Sequence, residues 1–299
     1  MTATALFLVV ASSLAWVAFD VTRKVLVETV RPTALIFLLT LGQVPLFGLW
    51  AWVEGGGFPA TGYWPPAVAS IVLSVVANVA FIHAFKLAPL SVIVPLLSLT
   101  PVFTLLSAIP ILGELPKPLQ IVGLVLVVIG AWQLQREATR GAERAVARHS
   151  AEDRDAELRR RRLGFWLMVT VAVTWSITPA LDKVALRHAS APMHGFLLCT
   201  GVALGILALL VGRGQLRELG EVRHKPWIFA ASLLASVAAL GLQLLAIRLV
   251  LVSVVETLKR GIGNICSLLI GAAWFGETLD LRKSLAVAVI TAGVALIVL

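Results

Sequence analysis

The sequence predicts an all-α membrane protein: ten transmembrane helices in two inverted five-helix repeats. Hydrophobic residues make up 59% of the 299 positions and charged residues only 14%, against roughly 25% charged in soluble domains. The apolar residues fall in runs near the ~20 needed to cross a bilayer. The two halves of the chain also repeat each other in order.

Apolar runs between polar breaks give spans at approximately 3–22, 33–53, 66–86, 89–112, 116–135, 164–186, 192–212, 226–247, 250–275 and 281–299. The opening "MTATALFLVV" has neither a basic n-region nor a small-residue cleavage site, so it reads as a first span and not a cleaved signal. In the fourth span Pro95, Pro101 and Pro110 each remove a backbone donor. Such irregularity either lines a substrate path or is a static kink absorbed by packing. Ser98, Thr100 and Thr104 are the polar contacts it offers. Between the fifth and sixth spans, "REATRGAERAVARHSAEDRDAELRRRR" holds nine arginines and six acids, which marks a solvated linker or surface helix. The chain therefore divides into a repeat at 1–135, a charged linker at 136–163 and a second repeat at 164–299.

The repeat rests on three alignments. "WVAFDVTRKVL" from Trp16 meets "WSITPALDKVAL" from Trp175, pairing Lys24 with Lys183 at an offset of 159. "LSVVANVAFIHAFKLAPLSV" from Leu73 meets "ASVAALGLQLLAIRLVLVSV" from Ala235 at an offset of 162. "LGELPKPLQIVGLVLVVIGA" meets "FGETLDLRKSLAVAVITAGV" at an offset of 163, pairing Gly113–Glu114 with Gly276–Glu277 and Gly130 with Gly293. Five spans per half insert the second half the other way up. Inverted repeats mark secondary transporters, whose substrate sits near the midplane between the repeats.

The net charge of +9 would suggest nucleic acid in a soluble protein. Here nineteen of the 25 lysines and arginines lie on the side of the membrane that carries the linker, which is a topology signal and not a nucleic-acid footprint. It places the linker in the cytoplasm and both termini outside. Cys199 and Cys266 fall inside spans and read as packing residues. Phosphate-loop, His-Glu-x-x-His and Gly-x-Ser-x-Gly patterns are all missing from the sequence, so neither an enzyme nor an ATP-driven pump is indicated, and no cofactor or metal is expected.

Charge inside the spans concentrates in the ninth. Glu256, Lys259 and Arg260 lie within five residues of one another, at a depth where a Lys or Arg costs about 2.5–3.5 kcal/mol to insert. Glu256 and Arg260 are spaced i,i+4, so one ion pair is expected between them, leaving one cation unmatched. The face through Glu256, Arg260, Gly263, Asn264, Ser267 and Gly271 is small and polar, as a cavity lining requires. These features point to an anion site, with Arg supplying a planar fork and Lys a point charge. The alternative is a water-filled cleft that merely hydrates both cations. Trp16 and Trp175 hold matching positions and either flank the cavity or pack. His83 is either a hydrogen-bonded core residue or a ligand.

"AFKLAPLSVIVPLLSLTPVFTLLSAIPILGE" followed by "GLVLVVIGA" resembles the EamA-type domain of the drug/metabolite transporter superfamily, and the second copy closes alike with "FGETL" and "AVAVITAGV". The resemblance covers essentially the whole chain. It implies ten helices, alternating access, and export or exchange of small metabolites; the expected setting is the plasma (inner) membrane, and the expected assembly a monomer or homodimer. In contrast to the charge distribution, it favours cytoplasmic termini. A departure is Val17, where the family often has glycine. "LKRGIGNICSLLIGAAWFGE" is similar to the ninth-helix Lys-Arg motif of the triose-phosphate translocator branch, in which that pair binds the substrate phosphate; Lys259 and Arg260 match it. The branch's fourth-helix lysine has no counterpart in "VPLLSLTPVF", so a monoanion, a carboxylate or a phospholipid-like headgroup stays open beside a phosphate. The expected function is secondary transport of a small organic anion. A cationic multidrug exporter and a non-transporting scaffold or receptor are the alternatives.

Overall fold

The computed structural model describes residues 1–27, 29–55, 57–87, 97, 99–146, 151–216, 219, 225–275 and 281–298, with side chains excepted at 85–86, 134–146, 151–158, 161, 267–268, 271–275 and 281–283. Among these residues the chain forms ten α-helices: α1 (Ala3–Val27), α2 (Pro32–Val53), α3 (Trp64–Leu87), α4 (Thr100–Leu112), α5 (Pro118–Val146), α6 (Ala151–Ala185), α7 (Ala191–Gly212), α8 (Pro226–Leu249), α9 (Val252–Phe275) and α10 (Leu281–Val298). A 3-10 turn, Thr61–Tyr63, leads into α3.

Local chemistry sets the ends. Proline opens α2, α5 and α8 at Pro32, Pro118 and Pro226, positions where its missing N–H costs nothing and its fixed φ suits the first turn. Ser190 caps α7 by accepting from the Met193 amide at 3.4 Å. Gly113 ends α4 with φ +69°, a left-handed conformation open to glycine without strain.

Among the described residues, six helices are long and apolar enough to cross a bilayer: α1, α2, α3 with its leading turn, the Arg162–Ala185 part of α6, α7 and α8; shorter apolar stretches occupy Thr100–Leu112, Pro118–Gln133 and Ser284–Val298. The outer surface is correspondingly apolar, with Leu49, Trp52, Val53, Val72, Leu204 and Leu234 exposed. Lipid is as apolar as leucine, so helix association rests on close packing and hydrogen bonds. The tightest seam is α5 against α10. A Cβ on Gly123 would lie 2.6 Å from the Gly293 carbonyl oxygen, and one on Gly293 would lie 2.6 Å from that of Gly123.

Helix pairings are reciprocal between the halves. The first helix of each half packs on the third of the other, α1 on α8 and α6 on α3. Second helices meet as α2 on α7, fifth helices as α5 on α10, and fourth helices pack on first helices as α4 on α6 and α9 on α1.

Of the two forms open to the charged linker, solvated coil or surface helix, its described part is largely helical. Backbone 136–146 continues α5 and 151–163 belongs to α6. Arg, Glu and Ala are strong helix formers, and once a span has nucleated the helix each added residue extends it cheaply into water. At 29 and 35 residues, α5 and α6 are about 43 and 52 Å long, well beyond a hydrocarbon core of about 30 Å. The predicted start of the fourth span, including Pro95 and Ser98, lies outside the described residues.

Candidate functional site

The site begins where α8 hands over to α9. The Val252 amide at the first turn of α9 donates to Glu114 Oε2 at 2.8 Å. The other oxygen of Glu114 lies 2.5 Å from Lys183 Nζ, and that ammonium also donates to the Val250 carbonyl at 2.7 Å. Glu114 therefore caps α9 and clasps the end of α6, tying the first half of the chain to the second.

One turn into α9, Glu256 is 1% exposed. The structure corrects its expected partner. Lys259, at i,i+3, places Nζ 2.5 Å from Glu256 Oε1, whereas no ion pair to Arg260 is found among the described residues. Both spacings bring side chains onto a common helix face. Lys259 prevails because neighbouring helices offer its ammonium further partners: Gln243 Oε1 on α8 accepts from it at 3.2 Å, and the Trp16 ring on α1 lies 5.3 Å away in cation–π reach. Trp16 Nε1 donates to the same Gln243 oxygen at 2.7 Å, and Gln243 Nε2 reaches Glu256 Oε1 at 3.5 Å. Three helices thus converge on one carboxylate–ammonium pair.

Arg260 and Asn264 stand apart from that network. Arg260 Nε and Asn264 Nδ2 are buried nitrogens without a hydrogen-bond partner among the described residues. They are one helical turn apart on the predicted polar face. Buried donors are rarely left unpaired, and each unmade bond costs about 1–3 kcal/mol. With Glu256 balanced by Lys259, the Arg260 charge is the formal excess of this cluster, and two donors beside each other are suited to an incoming acceptor.

The repeat gives this cluster an apolar counterpart. At the offset of 162, Gln243 corresponds to Phe81 and Lys259 to Leu97; at 159, Trp16 corresponds to Trp175. Phe81 stacks obliquely on Trp175 with centroids 5.2 Å apart, and Leu97 belongs to the same buried cluster. The same tryptophan contact is polar in one half and greasy in the other. Trp16 is therefore brought to Lys259, while Trp175 packs in an apolar core.

Of the other expected residues, His83 places Nδ1 2.8 Å from the Val79 carbonyl of its own helix. Thr100 is fully buried with its hydroxyl unpartnered among the described residues, and Thr104 donates to the Thr100 carbonyl at 2.9 Å. No hydrogen bond joins any of these to the Lys259 cluster among the described residues. Both cysteines are unbridged. Gln243 was not anticipated, although a glutamine inside the apolar α8, opposite an aligned phenylalanine, is the signal that could have found it.

A second buried polar group was also missed. Asp182, near the end of α6, is 6% exposed. It accepts from Ser70 Oγ at 2.5 Å, and its Oδ1 lies 3.2 Å from His194 Nε2 on α7, unaligned for a hydrogen bond. His194 Nδ1 is 3.0 Å from the Tyr63 hydroxyl. Although Asp182 stands near a helix end, the Thr61–Tyr63 turn and the first turn of α7 cover it.

An all-helical bundle of membrane-spanning helices with ion pairs buried between them defines a multi-pass membrane protein with a polar interior. Residues 3–134 and 162–299 match the EamA-like transporter family. The chain belongs to that family, whose members are membrane transporters of small solutes and not enzymes. No curated protein matches it. A solved structure described only as the crystal structure of a protein is similar over 99% of this chain and 98% of that one, with a TM-score of 0.74 and 17% identity, a likeness of fold alone.

Proposed function

We propose that the protein is a secondary transporter of a small organic anion, phosphorylated by preference, and that Arg260 and Asn264 receive the anion. The observation that carries this reading is the pair of buried, unpartnered donors at Arg260 Nε and Asn264 Nδ2 beside an ion pair that is already balanced. The guanidinium offers a fork to two phosphate or carboxylate oxygens, and the amide contributes a neutral donor. Lys259 is held by Glu256, Gln243 and Trp16; an anion displacing Glu256 would recruit it as a second cation. The similarity of "LKRGIG" to the triose-phosphate translocator motif supports a phosphate.

In this reading the halves are inverted repeats that rock about the site, and the reciprocal helix pairing supports that arrangement. The Glu114–Lys183–Val250 clasp then closes one end of the path. A cationic drug exporter is disfavoured because it needs a carboxylate free to meet the cation, and Glu256 has an ammonium 2.5 Å away. In the plasma (inner) membrane that this reading assigns, the loop charges favour a cytoplasmic linker with both termini outside. A Ser150→Cys variant in intact cells should resist an impermeant thiol reagent; labelling would reverse the orientation.

The transport test is uptake of radiolabelled inorganic phosphate and glycerol phosphate into proteoliposomes preloaded with the same anion. Saturable uptake that needs internal anion is expected. Uptake no greater than in empty liposomes for phosphorylated and carboxylated probes alike would remove the anion assignment.

A further inference from the structure

The Asp182–His194 pair is an ionisable cluster inside the bundle, outside the Lys259 site. Asp182 comes from α6, His194 from α7, Ser70 from α3 and Tyr63 from the turn before α3. All four are buried, with Tyr63, Ser70 and His194 fully so. The cluster belongs to one half only: Arg23 stands at the position aligned with Asp182 and pairs with Asp20 at 2.8 Å. A feature of the duplicated scaffold would occur in both halves.

Charge balance dictates what the pair can hold. With one proton shared between them, carboxylate with imidazolium or carboxylic acid with imidazole, the pair is neutral. Gaining or losing a proton leaves a single buried charge, which apolar surroundings oppose until water reaches the pair, so exchange belongs to the hydrated arrangement. Among the described residues, few titratable or charged groups surround it. Tyr63 touches His194, and Cys199 on α7 donates to Gln43 Oε1 at 3.1 Å. Lys183, adjacent in sequence, is engaged by Glu114 at 2.5 Å. His188 is exposed, and its ring packs on the turn, 2.8 Å from where a Cβ on Gly62 would lie. Tyr63, which touches His194, and the exposed His188 thus both lie at the turn that covers the pair. Towards the interior, Gln43 Nε2 donates to Ser236 Oγ at 2.9 Å, on the helix that also carries Gln243.

We propose that the Asp182–His194 pair is a proton-binding site, and that the proton it exchanges with solvent is the coupling ion of the transport cycle. Only the coupling step rests on the transport reading above. The proton enters from water on the Tyr63 side and settles on Asp182 Oδ1 or His194 Nε2. It leaves when movement of α3, α6 and α7 admits water to the pair.

Two measurements test the two steps separately. Infrared difference spectra of the protein in lipid, titrated from roughly pH 5 to pH 9 to bracket an ordinary histidine, should show a carboxylic-acid or imidazolium band that is lost in both Asp182→Asn and His194→Gln. Should either variant fail to fold, Ser70→Ala keeps both titrating groups and should move the band's midpoint, since a donor to the carboxylate is gone. A parent spectrum without a titrating band, a band that survives in both variants, or a Ser70→Ala midpoint unchanged overturns the proton site. In proteoliposomes holding a pH-sensitive dye, external glycerol phosphate should drive a pH change at least fivefold slower with Asp182→Asn. An equal rate overturns coupling at this pair. Absence of any glycerol phosphate uptake by the parent overturns the anion reading and leaves the infrared result to decide the proton site.

Discussion

Lys259 turns back one helical turn to Glu256, with Nζ 2.5 Å from Oε1, and leaves the neighbouring Arg260 without an ion pair among the described residues. Two adjacent cations thus have opposite situations, one satisfied by residues of three helices and one whose Nε has no hydrogen-bond partner among the described residues. Removing one partner of a buried pair leaves an uncompensated charge, at a cost of about 3 kcal/mol or more. Glu256→Gln is therefore expected to lower the thermal midpoint clearly in a fixed detergent. The double variant Glu256→Gln/Lys259→Met removes both charges and should recover most of that loss. Equal destabilisation by single and double variants would show that the pair does not act as a unit.

Trp16 and Trp175 should respond differently to the same change. Trp16→Phe deletes the 2.7 Å hydrogen bond to Gln243 and leaves an oxygen that Lys259 alone must satisfy, a loss of about 1 kcal/mol with weakened anion binding. Trp175 packs on Phe81 in an apolar cluster, so Trp175→Phe should alter packing and spare anion affinity. Calorimetric titration of each variant with glycerol phosphate distinguishes them.

Glu114 has a separate and local signature. Its carboxylate accepts the Val252 amide at 2.8 Å and meets Lys183 at 2.5 Å. Glu114→Ala removes a cap worth about 1 kcal/mol together with the clasp between halves. Amide exchange at Val252 and in the first turn of α9 should accelerate several-fold, while exchange in α2 and α7 stays as in the parent.

The α5–α10 seam tolerates no side chain. Gly123→Val would place its Cβ 2.6 Å from the Gly293 carbonyl, and both helices would have to part. Overpacking of this kind costs about 1–3 kcal/mol. A lower thermal midpoint is expected for Gly123→Val and for Gly293→Val, whereas at Gly263, where an added Cβ meets nothing within 4 Å, Ala should be tolerated.

What the sequence made legible follows from the range of each interaction. Ten helices could be read because every span carries its own apolar length, and the polar face of α9 because i,i+4 spacing is local. Lys259 displaced Arg260 as the partner of Glu256 because Trp16 and Gln243 arrive from 243 and 16 residues away, which helical spacing does not encode. The Asp182–His194 contact escaped for the same reason: each residue stands near a helix end, and only the folded chain covers them both. For the charged stretch the sequence left linker and surface helix both open, since Arg, Glu and Ala suit a solvated segment whether or not it coils, and only the folded chain shows α5 and α6 extending into it.

The most direct test of the anion site is the thermal stabilisation of purified protein by glycerol phosphate, in the parent and in Arg260→Ala and Arg260→Lys. A ligand that binds only the folded state at a hundredfold its dissociation constant adds about 2.7 kcal/mol, a shift readily measured. The parent should be stabilised, Arg260→Lys far less because a point charge lacks the fork, and Arg260→Ala not at all. An undiminished shift in Arg260→Ala would place the anion elsewhere and contradict the account.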